Sequence, residues 1–413
     1  MHMRARTVVA ATVLVTPLVL CGCGGGSDDS VDASGLVSIS PQAPAKGTVD
    51  PNTPVVVKSV HGKLTDVTVR SADGRLLPGT IAPDDRSWRS TATLSAGQHY
   101  TVRVSADDLD GGRGSTTDQF TTSPAGRTLT VQLTPGDHAV YGVGEPVAAV
   151  LSLPVHDPAA RKVVESGLSV SSTPSVRGAW YWVDDKTLHF RPETYWPAHA
   201  TVSAAYELGG RHIEGDLYAG APSRISFGTG DKLLAVTDAA SDYMTVYRNG
   251  QEINSLPVTT GKPGFDTRNG MKVVLEQEPD VVMDSSTVGI APGSSNAYHL
   301  DVHWATRVTW SGEYVHAAPW SVDSQGVSNV SHGCTGMSTG NAEWFFNTFH
   351  RGDLVDVVNS HGADMAPFGN GYGDWNLSWT AWQQGSALHR VVKTSPAARA
   401  GATDTVGFIR PQA

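Results

Sequence analysis

Cys334 lies in the stretch SNVSHGCTGMS and is the sole cysteine beyond position 23 of a 413-residue chain. A thiol attacks a carbonyl carbon only as thiolate, and a free cysteine, with a pKa of about 8.5, needs a base or a cation beside it to react near neutrality. Two histidines are close in sequence. His332 is two residues before the cysteine, so in an extended chain both side chains share one face. His316 lies near the end of the stretch GEYVHA further upstream, and a strand, a loop (SVDSQGVSN) and a returning strand can carry it to the sulfur. Gly333, without a Cβ, can adopt the sharp conformation that turns successive amide N–H groups towards one point. The N–H groups of Gly333 and Cys334 are therefore candidates for an oxyanion hole. This set suits nucleophilic acyl transfer through a Cys–His pair. Two other readings stay open: an inert thiol buried in a tight turn, and a zinc site made by His316, His332 and Cys334 with a water, though no H-E-x-x-H or C-x-x-C motif accompanies it.

The elements that must position these residues are short and mostly extended. YMTVYRNGQEINSLPVTTGKPGF predicts a hairpin with an Asn249-Gly250 turn and then a Gly/Pro-rich loop; MKVVLEQ, WATRVTWSGEYVHAA and DLVDVVNS predict further strands. One helix follows the cysteine, because Ala342, Phe345, Phe346 and Phe349 fall at i, i+3, i+4 and i+7 and form a single buried stripe. Thr339 or Gly340 is the expected N-cap, with Glu343 reaching back. The positive end of this helix is expected to favour a thiolate at Cys334. In the tail, Trp375, Trp379 and Trp382 are spaced by four and three, which predicts a short amphipathic helix docking on the preceding domain.

Upstream, VTVRSADGRLL and HYTVRVSADD alternate apolar and polar residues around turns and predict a β-sandwich over residues 51–125. The pattern restarts in TLTVQLTPGD, AWYWVDDKTLHF and ATVSAAYEL, predicting a second sandwich over 126–230, with Trp180, Trp182 and Trp196 as core in preference to a carbohydrate-stacking face. The 44 glycines and 24 prolines agree with a turn-rich β protein, and a formal charge of −10 without any basic block argues against nucleic acid as a partner. Arg4 and Arg6 precede the apolar run VVAATVLVTPLVL, which falls short of the ~20 residues a bilayer span needs, so residues 1–22 read as a signal peptide. LCGC resembles a lipobox with Cys23 as the lipidated residue; Cys21 is the poorer candidate because Leu20 would occupy the small position. Residues 23–50, rich in Gly, Ser, Pro and Asp, read as a tether. Cys334 is then the one thiol left for chemistry in a compartment where disulfides form.

His316, a spacer and SHGC together closely resemble the YkuD-type L,D-transpeptidase catalytic domain of bacterial cell-wall enzymes. The likeness extends over residues 231–362 through VYRNG, TTGKPGFDTRNG, MDSST, YVHAAPWS and SHGCTGMS, and into the tail at GDWNLSW. The sandwiches and lipobox match the mycobacterial and actinobacterial layout. The resemblance implies a mainly β fold: two immunoglobulin-like sandwiches, a β-rich catalytic domain over 231–362 with one main helix, and a small Trp-rich C-terminal subdomain over 363–413. It implies Cys334 as nucleophile, His316 as general base, and Ala317 orienting His316 through its carbonyl. His332 and Gly333 would contribute N–H donors and shape, while Tyr298, Met283 and Trp320 would line the substrate crevice. It implies no cofactor and no metal, peptidoglycan stem peptides as substrates, 3→3 meso-diaminopimelate cross-links made through a thioester, carbapenem β-lactams as inhibitors, and a place on the outer face of the plasma membrane held by lipid at Cys23. The sequence does not choose between cross-link formation and an L,D-carboxypeptidase, in which water replaces the acceptor amine, and one departure leaves open a weakly active or non-catalytic wall-binding lipoprotein. The family pattern has asparagine two places after the cysteine, where this chain has Gly336, and its loss is expected to leave that loop freer. Asn269 also stands where Pro or Thr is common.

Overall fold

A computed structural model of the chain describes residues 31–395 apart from 34, 45–46 and 110–111. The signal peptide, Cys21 and Cys23 lie outside the described residues. The fold is mainly β, and the chain divides into two compact units.

The first unit pairs two four-stranded sheets. Its strand His99–Asp107 follows the expected alternation, with Tyr100, Val102, Val104 and Ala106 buried on one face. The expected tether is corrected here. Val31–Asp32 pairs in parallel with Gly114 and Ser115, and Val37–Ser40 pairs antiparallel with Val56–Ser59. These strands draw their stability from ladder bonds to distant residues, so a local apolar period is not needed to place them.

The second unit opens with another sandwich, one sheet built on Val131–Thr134, Val147–Leu151, Thr187–Pro192 and Arg177–Trp182, the other on Val140–Tyr141, Ser223–Thr229, Thr201–Tyr206 and Leu168–Thr173. Trp180, Trp182 and Trp196 are buried in its core. It also carries a helix absent from the sequence reading, α1 (Pro158–Ser166). Its signal was present: the Asp157 carboxylate accepts the Ala160 N–H at 2.8 Å, and proline occupies the first turn.

The part of this unit that follows the sandwich contains two sheets. One runs Gln251–Pro257, Tyr243–Arg248, Leu233–Asp238, Leu354–Val358 and Gly270–Val273; the other runs Glu276–Asp284, His299–Arg307, Tyr314–Ala317 and Thr335–Met337. Helix α2 (Thr339–Thr348) packs on the second sheet and buries Ala342, Phe345 and the following Phe349 against Val315, Ala317 and Met337. Phe346 is only partly buried and meets Trp304 edge-on. The N-cap is Ser338, whose hydroxyl accepts the Asn341 N–H, one residue before the position expected.

The tail forms a short 3-10 turn, Asp374–Asn376, and then helix α3 (Trp379–Gln384). Its docking partner is the second sandwich, which refines the expectation of the preceding domain. Trp382 is fully buried and its indole donates to Ala179 O at 2.9 Å, while Val392–Lys393 adds an edge strand to Arg177–Trp182. Arg191 of the sandwich lies over the rings of Trp375, Trp379 and Trp382 at 4.9, 5.6 and 4.6 Å and donates to Leu377 O. Asp374 bonds His189 at 2.7 Å, and Arg351 of the part that follows the sandwich reaches the buried Glu145 carboxylate at 2.8 Å. Ionisable groups here are buried against specific partners, a carboxylate with a guanidinium or imidazole, and the Arg191 guanidinium with indole rings and a carbonyl.

Candidate active site

The strand Tyr314–Ala317 and the strand Thr335–Met337 are parallel neighbours, with His316 opposite Gly336. Alternation along a strand sends Val315 and Ala317 into the core under α2 and His316 to the other face. Cys334, two residues before Gly336, has the parity that sends its side chain to the same face as His316. Both side chains line one cleft of about 330 Å3, together with Met283, Tyr298, Trp320 and His332. Of the residues expected from sequence, these six are brought together. Gly333 and Ala317 are not on the cleft wall.

His316 is buried, and its Nδ1 is 2.8 Å from the Ala317 carbonyl. A carbonyl only accepts, so Nδ1 carries the proton and Nε2 keeps the lone pair. Burial holds the His316 pKa below its ordinary value of 6.5, although the bond to Ala317 works the other way. The ring of half-exposed Trp320 tilts over it at 6.1 Å. An uncharged imidazole with a free lone pair can accept a proton.

The sulfur does not bond to that imidazole in this structure; its hydrogen bond goes to the carbonyl of Gly312 at 3.5 Å. Burial pushes the Cys334 thiol up to about 12, the Tyr314 backbone N–H opposes the rise, and the Glu313 carboxylate adds to it. The expected thiolate is therefore corrected. Cys334 is partly buried, and the hydration lost by its charged form favours a neutral thiol beside the His316 imidazole.

A buried charge cluster, invisible in the sequence reading, backs the turn that touches the sulfur. Glu313 accepts from Arg268 Nη1 at 2.9 Å and from the Arg268 backbone N–H at 3.2 Å, and stands 3.7 Å from Lys272 Nζ. Lys272 is fully buried, and burial lowers its pKa to about 8. The partners are separated by 45 residues in sequence, so no local pattern announces them.

The turn before the cysteine is held by hydroxyls that the sequence reading also missed. Ser331 Oγ accepts the Gly333 N–H at 3.1 Å and donates to Cys334 O at 2.7 Å; Thr267 Oγ1 donates to Gly333 O at 2.9 Å. Gly333 has φ +123, a conformation that favours glycine, as its expected role in shape requires. Its N–H, however, is taken by Ser331 and is not free to stabilise an oxyanion in this state. The signal was a serine two residues before a glycine, a common local hydroxyl-to-amide pattern.

Gly336 is likewise not in a freer loop. Its N–H and C=O both bond Thr259, each at 2.9 Å. A Cβ built there would stand 2.9 Å from Ala318 Cβ and 3.2 Å from Thr259 Cγ2, so the site as packed here has no room for asparagine. Asn269 is fixed as well, bridging Ser360 and Gly362 through its amide. His332 is held between Phe265 at 4.8 Å and Tyr298 at 5.0 Å, and burial together with the Lys262 charge lowers its pKa. Among the described residues no group of three His, Cys, Asp or Glu is disposed to hold a metal ion, so His316, His332 and Cys334 are not assembled as a zinc site.

Fold and cleft together define a β protein in which immunoglobulin-like modules precede a domain that presents one thiol and one uncharged imidazole to a common crevice. The bacterial immunoglobulin-like domain family matches residues 46–212, and the L,D-transpeptidase catalytic domain family, of the YkuD type, matches residues 233–357. L,D-transpeptidase 2 of Mycobacterium tuberculosis is 34% identical over 393 residues, covering 92% of this chain and 95% of that protein. L,D-transpeptidase 1 of the same species is 40% identical over 226 residues, covering 55% of this chain and 83% of the relative. A solved L,D-transpeptidase in complex with imipenem matches 56% of this chain and 99% of its own at 38% identity, with a TM-score of 0.49. The chain belongs to the L,D-transpeptidase family.

Proposed function

We propose that the protein is a peptidoglycan L,D-transpeptidase that forms 3→3 cross-links through a thioester on Cys334. The observation that carries this reading is the cleft itself: Cys334 and His316 face it from adjacent parallel strands, and the imidazole lone pair is set on Nε2 by the Ala317 carbonyl. The Cys334 sulfur attacks the carbonyl between the L-centre of a meso-diaminopimelate and the terminal D-alanine of a tetrapeptide stem. As the S–C bond forms, the thiol proton passes to His316 Nε2. As the C–N bond breaks, that proton goes to the departing D-alanine nitrogen. The D-centre amine of a second stem then attacks the thioester, His316 takes one of its protons, and the sulfur recovers it on leaving. The Cys334 backbone N–H is the proposed oxyanion donor, with the Gly333 N–H joining only if Ser331 releases it.

Met283, Tyr298 and Trp320 are assigned to the walls that hold the stem, and His332 to the floor beside the nucleophile. Carbapenems are expected to acylate the same sulfur. Lipidation at Cys23 would tether the protein to the outer face of the plasma membrane, with the sandwiches carrying the catalytic domain towards the wall. Incubating the enzyme with a purified disaccharide-tetrapeptide tests the reading by mass spectrometry. A dimer with the mass of two donors less one D-alanine, absent with Cys334→Ala, is expected. Tripeptide plus free D-alanine without dimer would make the enzyme a carboxypeptidase, and no product from active-folded protein would sink the catalytic reading.

A further inference from the structure

Residues 233–357 contain six Lys and Arg side chains. Five stand within 4 Å of a carboxylate: Arg248 with Asp231, Arg268 and Lys272 with Glu313, Arg307 with Glu276, and Arg351 with Glu145. Among the described residues Lys262 has no such partner. Its Nζ donates to the neutral Asn296 Oδ1 at 2.8 Å and lies 5.2 Å from the Phe265 ring. An ammonium has three donors, and one is used.

The position of this cation is fixed by backbone. The Lys262 N–H bonds Ser331 O at 2.9 Å, beside the turn that presents Cys334, and Asn296 lies two residues before Tyr298 of the cleft wall. Phe265, beneath the ammonium, packs on His332, which also lines the cleft. The nearest carboxylate in its own loop, Asp266, is turned onto the Gly264 N–H. Lys262 is partly buried, so its charge has lost part of its water without gaining an anion. Lys262 does not itself line the cleft, but its backbone contacts Ser331 and its neighbour Phe265 contacts His332, both of which do. On a chain with a formal charge of −10, a cation there without a carboxylate partner is where an anionic ligand group would be drawn.

We propose that Lys262 is a specificity-determining residue of the cleft, receiving a free carboxylate of the peptide acyl donor close to the carbonyl that Cys334 attacks. The assignment rests on the transpeptidase reading above. Two carboxylates of the donor could supply this chemistry, that on the D-centre of diaminopimelate and that of the terminal D-alanine, and amidation separates them. Loss of the charge that Lys262 receives would cost binding while leaving the thiol and imidazole untouched.

The test is calorimetric binding to full-length Cys334→Ala protein of three tetrapeptide stems: the free acid, the diaminopimelate mono-amide and the D-alanine mono-amide. One mono-amide is expected to bind about tenfold more weakly than the free acid. Lys262→Met should weaken the free acid by a similar factor and erase the difference, Lys262→Arg should keep most of it, and 0.5 M salt should weaken the free acid only where the cation is present. Equal affinity of the three stems, the same acid-to-amide ratio in Lys262→Met as in the parent, or no binding at all would each overturn the assignment. Turnover of the free-acid stem by the Cys334 enzyme is scored separately. Turnover without acid–amide discrimination removes the Lys262 role alone, and discrimination without turnover removes the enzymatic reading alone.

Discussion

Two regions of the second unit bury ionisable groups, and they treat them in opposite ways. Where the tail docks on the second sandwich, Glu145 meets Arg351, Asp374 meets His189, and Arg191 lies among three tryptophan rings. In the cleft, burial leaves the Cys334 thiol and the His316 imidazole without an opposite charge, and each is held in its neutral form. Pairing makes the first region a fixed joint, since removing one partner strands the other in a medium that cannot solvate it. Under the proposed mechanism, neutrality would let the second react on demand, with a proton moving from sulfur to nitrogen as attack on a carbonyl spreads the new charge.

The largest effect is expected from breaking the proton path. His316→Gln should lower kcat/KM by about 10³-fold, within the usual range for removal of a general base, while leaving the fold intact by circular dichroism. In the parent enzyme the acid limb of kcat/KM should have its midpoint below 6.5, because the base works only unprotonated and burial depresses its pKa. No second limb from thiol ionisation should appear until far above neutrality. A midpoint above 6.5 would show a charged resting imidazole and erase the contrast between the two regions.

The matching change in the joint is Arg351→Met, expected to cost about 3 kcal/mol of stability at pH 8 by denaturant titration. The sign with pH follows from Glu145, whose carboxyl burial already raises to about 7 against the pull of Arg351. Without Arg351 the folded state holds that proton more tightly still, whereas the unfolded chain releases it above about 4.5. Stability is then lost as pH rises, and the penalty should be smaller at pH 5 than at pH 8.

Glu313 joins the two regions in kind, being a paired charge that sits behind the turn touching Cys334. Glu313→Gln leaves Lys272 buried without its anion and should cost about 2 kcal/mol. It also removes a carboxylate that raises the thiol pKa, so alkylation of Cys334 by iodoacetamide at pH 8 should become several-fold faster. Slower alkylation would mean that the turn had moved away from the sulfur. The smallest effect is that of Gly336→Ala, about 1 kcal/mol of overpacking, because its Cβ would press on Ala318 Cβ. Adding Ala318→Gly should restore stability.

These contrasts also mark how far the sequence could be read. His332 and Cys334 were legible as a pair because parity along an extended chain is a local property, and His316 because a strand, a loop and a returning strand can close on the sulfur. Met283, Tyr298 and Trp320 followed only from the family resemblance; all six line the cleft. The Trp-rich tail was legible as a docking helix, but its partner was not, since Trp382 finds Ala179 two hundred residues away in the chain. The strands in the supposed tether and the Glu313 cluster escaped for the same reason, being made by ladder bonds and ion pairs with distant residues. Helix α1 did carry a local signal, Asp-Pro before an amphipathic stretch, within a region dominated by strands. The protonation states of the pair depend on burial, which only the assembled cleft determines.

The claim on which the rest depends is that Cys334 is the nucleophile of this cleft. Intact-mass measurement after incubation with a carbapenem tests it most directly. The parent protein should gain the mass of one carbapenem, Cys334→Ala should gain none, and His316→Gln should gain it far more slowly. An adduct that persists in Cys334→Ala, or a parent protein that stays unmodified while folded, would contradict the account.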